Sequence, residues 1–202
     1  MSRTLFTSRA GGDLKLSRNR EALRTSLDLP VLHFMKQTHS DTVLVVDEAG
    51  EDFECDALIT QSKGVGLAAL AADCMPITFS AAQWVGVAHV GRLGFTSGIA
   101  GKTVAMMREL GAGDIKATIG PSICGTCYEV SPEMYLEISE RYPAARTSDS
   151  LHALDLQRGV TIELETQGVE VRNLKICTLE NPQYFSFRRG AEAARQAGLI
   201  SL

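Results

Sequence analysis

Short apolar or β-branched runs recur along the chain, each closed off by polar residues or Gly. They predict strands over Val31–Lys36, Thr42–Val46, Ala57–Thr60, Gly66–Ala71, Pro76–Phe79 and Trp84–His89. Later runs predict Ile115–Ile119, Cys127–Val130, Val171–Cys177 and Tyr184–Phe187. Helical spacing lies between them. Ser17 is positioned to cap a helix through Arg18–Leu27, with Leu23 and Leu27 on one face. Ser97 is positioned to cap a second, whose Val104, Met107 and Leu110 form a stripe ending at Gly111. Ser131-Pro132 opens a third over Glu133–Tyr142, and Asp155 a fourth running towards Gly168. Strand runs interrupted by a few helices, without strict βαβ alternation, predict an α+β fold with mixed sheets.

The chain has 202 residues with scattered Pro and Gly, no low-complexity segment and no fixed-period repeat, so a single domain over 1–202 is expected. A chain of this length buries roughly 70% of its unfolded surface and needs no disulfide staples. Twenty Lys+Arg against 24 Asp+Glu give a net charge of −4 without any block of five like charges. That balance leaves no footprint for nucleic acid or an anionic membrane. Five Cys, an odd number, fit a reducing compartment better than a disulfide framework. The N-terminal residues carry no charged-then-apolar leader pattern, and the apolar stretch Val65–Ala72 is broken by Gly66 and stopped by Asp73. A cytoplasmic location is the expectation.

Two motifs imitate known chemistry. Gly98-Ile99-Ala100-Gly101-Lys102-Thr103 opens a helix, but the Walker pattern requires Gly where this chain has Thr96. Only the capacity of a Gly-rich helix start to hold an anion survives. Cys124-Gly125-Thr126-Cys127 has redox or zinc spacing, yet Cys55, Cys74 and Cys177 supply no second CxxC, and the motif runs directly into Tyr128-Glu129-Val130. It reads as a Cys-containing turn near a pocket. His33, inside an apolar strand, and His152, in a loop, read as structural histidines.

Three other segments each end a strand run with a nitrogen or sulfur ligand beside a break: Gln37-Thr38-His39-Ser40, Ala72-Asp73-Cys74-Met75-Pro76 and Val87-Ala88-His89-Val90-Gly91. Two His and one Cys form a three-ligand set for catalytic zinc with one position open. The same atoms equally form a thiolate nucleophile beside a general base, and composition does not choose between the two.

The flanking words are informative. Phe6-Thr7-Ser8-Arg9-Ala10-Gly11-Gly12, QTHS at 37–40, CDALIT at 55–60, ADCMPI at 72–77, AHVG at 88–91, IGPSICGTCYEV at 119–130, LDL at 154–156 and FSFRR at 185–189 occur in order over nearly the whole chain. Together they resemble the YfiH family, also called the polyphenol oxidase or laccase-domain family, which includes the peptidoglycan editing factor. The resemblance implies an α+β fold layered α/β/β/α with mixed sheets, shared at the fold level with the deamidating CNF toxin. It implies zinc held by His39, Cys74 and His89. It also implies phosphorolysis of purine nucleosides (adenosine, inosine, methylthioadenosine) beside adenosine deamination, so the expected partners are a nucleoside and phosphate.

Copper is the alternative metal, but a several-copper oxidase needs more imidazoles than four. Zinc would lower the pKa of its water towards about 7 for attack at adenine C6. For phosphorolysis, Arg188 and Arg189 offer a guanidinium fork at a strand end, where only one of two neighbours reaches a pocket. Gln37 and Arg92 complete the expected substrate and phosphate set, and Asp73 and Glu129 are expected to transfer protons or to support a metal-bound His. Cys74 and His89 are the expected catalytic pair if the site works as a metal-free thiol hydrolase or amidase on a cell-wall precursor. A precursor-binding protein without turnover is the non-enzymatic competitor. One departure stands out: where the family usually reads Ala-His-Ala-Gly-Trp-Arg-Gly, this chain reads Ala88-His89-Val90-Gly91-Arg92-Leu93-Gly94.

Overall fold

A computed structural model describes residues 2–202 apart from 48, 49, 51, 52, 149, 150, 191 and 192. Two mixed sheets form the interior. The smaller has the order β1-β10-β5-β2, built from β1 (Arg3–Phe6), β2 (Val31–Phe34), β5 (Val65–Ala71) and β10 (Gln196–Ser201). The larger has the order β3-β4-β7-β6-β8-β9, built from β3 (Val43–Val45), β4 (Ala57–Thr60), β6 (Met75–Ser80), β7 (Val85–Val90), β8 (Lys116–Ile119) and β9 (Glu170–Asn173). The β2–β5, β3–β4 and β8–β9 pairs are parallel and the others antiparallel.

Side-chain alternation explains how the layers stack. Leu58, Leu67, Ala69, Val85, Val87 and Ile200 meet between the two sheets. Their sequence neighbours point outward. Ala57, Ile59, Ala88 and Val90 pack under α3 (Ile99–Glu109) through Ile99, Ala100, Val104 and Met107, with α5 (Leu156–Thr166) adding Val160 and Leu164. On the other side Ala68, Ala197 and Leu199 pack beneath Leu23 of α1 (Ser17–Ser26) and Leu27 at its C-cap. The result is the expected α/β/β/α layering. Among the described residues no helix is long and apolar enough to cross a membrane.

Two helix starts form as the sequence predicts. Ser131 accepts from Met134 N at 3.3 Å ahead of α4 (Pro132–Arg141), and Asp155 accepts from Arg158 N at 2.9 Å ahead of α5. Other expectations are corrected. Ser17 is the first residue of α1, with Leu16 at the cap position. The helix expected from Ser97 is α3, with Gly98, in the left-handed region, at the cap position in place of Ser97; a separate short helix, α2 (Arg92–Ser97), precedes it and was not anticipated. The 127–130 run forms no strand: Cys127 closes a turn in which the backbone N–H groups of Cys127 and Tyr128 both return to Cys124 O, and Glu129 makes only an isolated bridge to Ala153. Residues 184–187 lead into a short helix, α6 (Phe187–Gly190), so Arg188 and Arg189 sit on a helical turn. β9 ends at Asn173, short of Cys177. Strands β1 and β10 were not anticipated.

Burial between the sheets sets the expected energetics. Leu67 is fully buried there, so Leu67→Ala should cost about 2–5 kcal/mol in urea denaturation. Leu136→Ala, on the exposed face of α4, should stay within about 0.5 kcal/mol of wild type.

Candidate functional site

Strand polarity collects the site. β4 and β6 both run antiparallel to β7, so the starts of β4 and β6 lie at the end of β7. Ala57 pairs with Ala88, which puts Asp56 opposite His89; Met75 pairs with Val90, which puts Cys74 opposite Gly91. By alternation Asp56, Cys74 and His89 share the face directed at the smaller sheet.

Asp56 organises this end. It is fully buried. One carboxylate oxygen lies 2.8 Å from His89 Nδ1. The other accepts from Thr38 N (3.1 Å), Ser40 N (2.6 Å) and Ser40 Oγ (2.9 Å). Those two backbone donors flank His39, whose φ of 60° lies in the left-handed region. A non-Gly residue there costs roughly 1–2 kcal/mol, and the bonds to Asp56 hold it in place. The carboxylate thereby orients one imidazole directly and the second through its loop.

The three expected ligands do come together. Their donor atoms lie within 4.8 Å of one another, with Cys74 Sγ 3.9 Å from His39 Nε2. The two imidazoles meet edge-on with centroids 4.8 Å apart. His89 is buried, Cys74 half-buried and His39 exposed, so the cluster opens to solvent on the His39 side. A Cβ on Gly91 would stand 2.9 Å from Cys74 Sγ and 3.0 Å from His39 Cδ2, so this close approach requires Gly.

The electrostatics follow from that packing. Burial alone would raise the Asp56 carboxyl, but hydrogen bonds from His89 and Ser40 outweigh it and hold it at about 2. Burial would lower His89, yet Asp56 and the Cys74 thiolate raise it to about 9. Burial would raise Cys74, and hydrogen bonds from His39 and His89 bring it down to about 6.

Two chemistries fit these atoms. With Nδ1–H given to Asp56, His89 keeps Nε2 for a metal, the usual carboxylate–histidine arrangement. Tetrahedral zinc would set sulfur and nitrogen ligands about 3.6 Å apart, close to the observed spacing. The donor set therefore fits a single borderline or soft cation. Without a metal, the same atoms form a thiolate–imidazolium pair with an orienting carboxylate.

Beside the cluster lies a cleft of about 550 Å³ lined by Arg92, Tyr128, Glu129, Ser131, Met134 and Arg188. Its walls are tied to the ligands through adjacent residues. Arg92 follows Gly91, and the backbone N–H of Arg188 donates to Asp73, the neighbour of Cys74, at 2.7 Å. The Arg188 guanidinium stands 4.9 Å over the Tyr128 ring and donates to Glu129 O at 2.9 Å. Burial keeps the Tyr128 phenol above its ordinary value although Arg92 and Arg188 pull it down. Glu129 is exposed at the rim.

The remaining expected site residues are engaged elsewhere. Asp73 (φ 83°) accepts from Thr178 Oγ1 at 2.7 Å with one oxygen and from Arg188 N with the other, so it anchors α6. Arg189 donates to the carbonyls of Thr178, Leu179, Asn181 and Tyr184. Gln37 exchanges two hydrogen bonds with the Leu70 backbone, at 2.8 and 2.7 Å, prolonging the β2–β5 ladder. His33 donates to Asp47 O across 2.9 Å, and His152 packs edge-on against Tyr135. Asp56 was missed by sequence reasoning, although it sits in the CDALIT word as a lone carboxylate heading a wholly buried strand.

Comparison with known proteins adds the following. A family model described as multi-copper polyphenol oxidoreductase laccase matches residues 7–202. A purine nucleoside phosphorylase of Corynebacterium glutamicum is 35% identical over 99% of this chain and 94% of its own. Another, from Streptomyces griseus, is 39% identical over 92% of this chain and 80% of its own. Among solved structures, the hypothetical protein YfiH of Bacillus licheniformis superposes with a TM-score of 0.89 at 26% identity, covering 100% of this chain and 92% of that one. Protein NMB0706 of Neisseria meningitidis gives 0.88 at 27% identity, covering 100% and 94%.

Asp56→Asn should break a buried pair and cost about 3–5 kcal/mol near neutral pH. The sign of the pH effect follows from both partners. Asp56, lowered from 3.8 to about 2, contributes stability that is lost as pH falls through that interval. His89, raised from 6.5 to about 9, contributes stability that is lost as pH rises through that one. The difference between wild type and variant should be largest between pH 4 and 6.5, as chemical denaturation across pH would read. In metal-free protein, Cys74 alkylation by iodoacetamide should climb with pH through about 6 and be level by pH 8, where an ordinary thiol is still climbing.

Proposed function

The chain belongs to the multi-copper polyphenol oxidoreductase laccase family, and from that premise we propose that it is a zinc-dependent purine nucleoside phosphorylase, with adenosine deamination as a second reaction of the same cleft. One observation carries the reading: His39, Cys74 and His89, held by Asp56, stand beside a cleft walled by two arginines and a tyrosine. The similarity to relatives named purine nucleoside phosphorylase supports the substrate class.

His39, Cys74 and His89 would hold the zinc, which when bound would supply Lewis-acid polarisation and a lowered pKa for water. The chain's own groups do the rest. Arg188 and Arg92 take the phosphate, with charge-assisted hydrogen bonds from a guanidinium that Tyr128 keeps in place. A phosphate oxygen forms the new bond to C1′ as the bond from C1′ to the purine nitrogen breaks. The departing base then takes a proton, which Glu129 at the rim is placed to handle. Asp73 works at one remove, by seating the backbone of Arg188. Arg92 stands where the family's tryptophan usually does, so the purine meets a cation and the Tyr128 ring in place of an indole. A cytoplasmic setting belongs to the proposal, since the ligand thiols must stay reduced.

The copper-cluster chemistry implied by the family's description does not fit the donors. Of the chain's four histidines, His33 bonds to a backbone carbonyl and His152 packs on Tyr135, which leaves two imidazoles at the cluster.

A second reading has its own observation. The Cys74–His89–Asp56 alignment, with a thiol held at about 6, is that of a thiol hydrolase, whose substrate would be an amide such as a cell-wall precursor.

Separating the two takes one set of assays. With adenosine, phosphorolysis releases adenine only when phosphate is present, whereas deamination gives inosine without it. His39→Ala should remove one bound metal per chain and both activities. Arg188→Ala should raise KM for phosphate about 10- to 100-fold, the worth of one charged hydrogen bond. A His39→Ala protein that still turns over nucleoside refutes the zinc mechanism; amide hydrolysis that survives metal removal and is abolished by Cys74 alkylation establishes the thiol reading.

A further inference from the structure

We propose that Cys124, Cys127, Cys177 and Glu180 form a second metal site, a structural one for a zinc-class cation, separate from the His39–Cys74–His89 cluster. The ligand atoms of these four residues lie within 4.8 Å of one another, and Cys127 Sγ is 3.5 Å from Glu180 Oε1. Three thiolates and a carboxylate are a four-donor set of the closed, structural kind. Thiolate-rich sets select zinc over hard cations.

The backbone builds this arrangement from two distant segments. Cys127 N and Tyr128 N both donate to Cys124 O, which closes the CxxC into a tight turn. Gly125 permits the turn, because a Cβ there would fall 2.6 Å from Asp155 Cβ. Cys177 arrives from fifty residues downstream: Ser122 and Cys177 form a parallel bridge, and Thr178 N donates to Ser122 O. Asn181 N then donates to Cys177 O, a single turn that brings Glu180 back to the thiols. The second half that a structural zinc site needs would therefore come from another loop, as one Cys and one Glu, while residues 124–127 form the Cys-containing turn that the sequence predicts.

The placement gives the cation a task. One clipped segment continues into Tyr128 and Glu129, and the other contains Thr178, which bonds to Asp73 beside the Arg188 backbone. A metal here would join the two walls of the cleft by coordinate bonds, where the structure otherwise joins them by hydrogen bonds. Metal binding and local order would then be linked.

The test uses full-length protein purified under reducing conditions without chelator. Zinc per chain is measured in wild type, His39→Ala and Cys127→Ser. His39→Ala should retain about one zinc, and a chelator should remove it with a fall in Tm of several degrees. Cys127→Ser should lose that equivalent while zinc still protects Cys74 from alkylation. Peptide mapping of maleimide-labelled wild type, which needs no variant to fold, should find Cys124, Cys127 and Cys177 blocked with zinc and labelled after chelation. Equal zinc in wild type and Cys127→Ser overturns the proposal, as do a metal-free His39→Ala protein, free labelling of the three thiols in zinc-replete protein, or a disulfide among them.

Discussion

The buried carboxylate of Asp56 is the constraint on which the active end of this molecule depends. It faces His89 across the β4–β7 ladder and collects three donors from residues 38 and 40, so one side chain joins a strand end to a loop from the other side of the sandwich. A buried anion this well satisfied is costly to disturb, because removing any partner leaves charge in a place water cannot reach. The same bonds settle the tautomer of His89 and the left-handed turn at His39. Metal affinity, thiol acidity and local stability are therefore properties of one network and change together.

Around that network the sheet arrangement does the positioning. Antiparallel pairing brings two strand starts to one strand end, and alternation turns Asp56, Cys74 and His89 to the same face. The rigid side of the site lies on strands buried on both faces. The adjoining cleft is built differently, from residues 128–131, the first residue of α2 and the short α6. This division places the strand-borne ligands on the stiff part of the fold and the proposed substrate contacts on turns and short helices.

Local signals explain what was legible in the sequence. The strands β2 to β8 announced themselves through apolar runs, and Ser131 and Asp155 through their capping chemistry. The three ligands stood out because each interrupts a strand end. What escaped notice depends on long-range pairing. Asp56 gains its role only when β4 meets β7. Cys177 joins the other thiols only through the bridge to Ser122. Gln37 and Arg189 carry polar groups suited to a substrate but spend them on backbone carbonyls and amides that no local pattern identifies. The 184–187 run is apolar enough for a strand, yet Asp73 accepting from Arg188 N favours a helical turn there. β1 and β10 were missed for a related reason: β1 is defined by its pairing with β10, and β10 by its place between β1 and β5.

That last pairing bears on how the protein is made. Thr7 and Ala197 are hydrogen-bonded though 190 residues apart in sequence, and β10 is inserted between β1 and β5. On a ribosome, the six strands of the larger sheet are all synthesised before β10, whereas the smaller sheet lacks its second strand until residues 196–201 have emerged. During that interval β5 presents one unpaired edge, the kind of surface that seeds aggregation. The nascent chain can assemble its ligand cluster early and must wait for β10 to close the sandwich behind it.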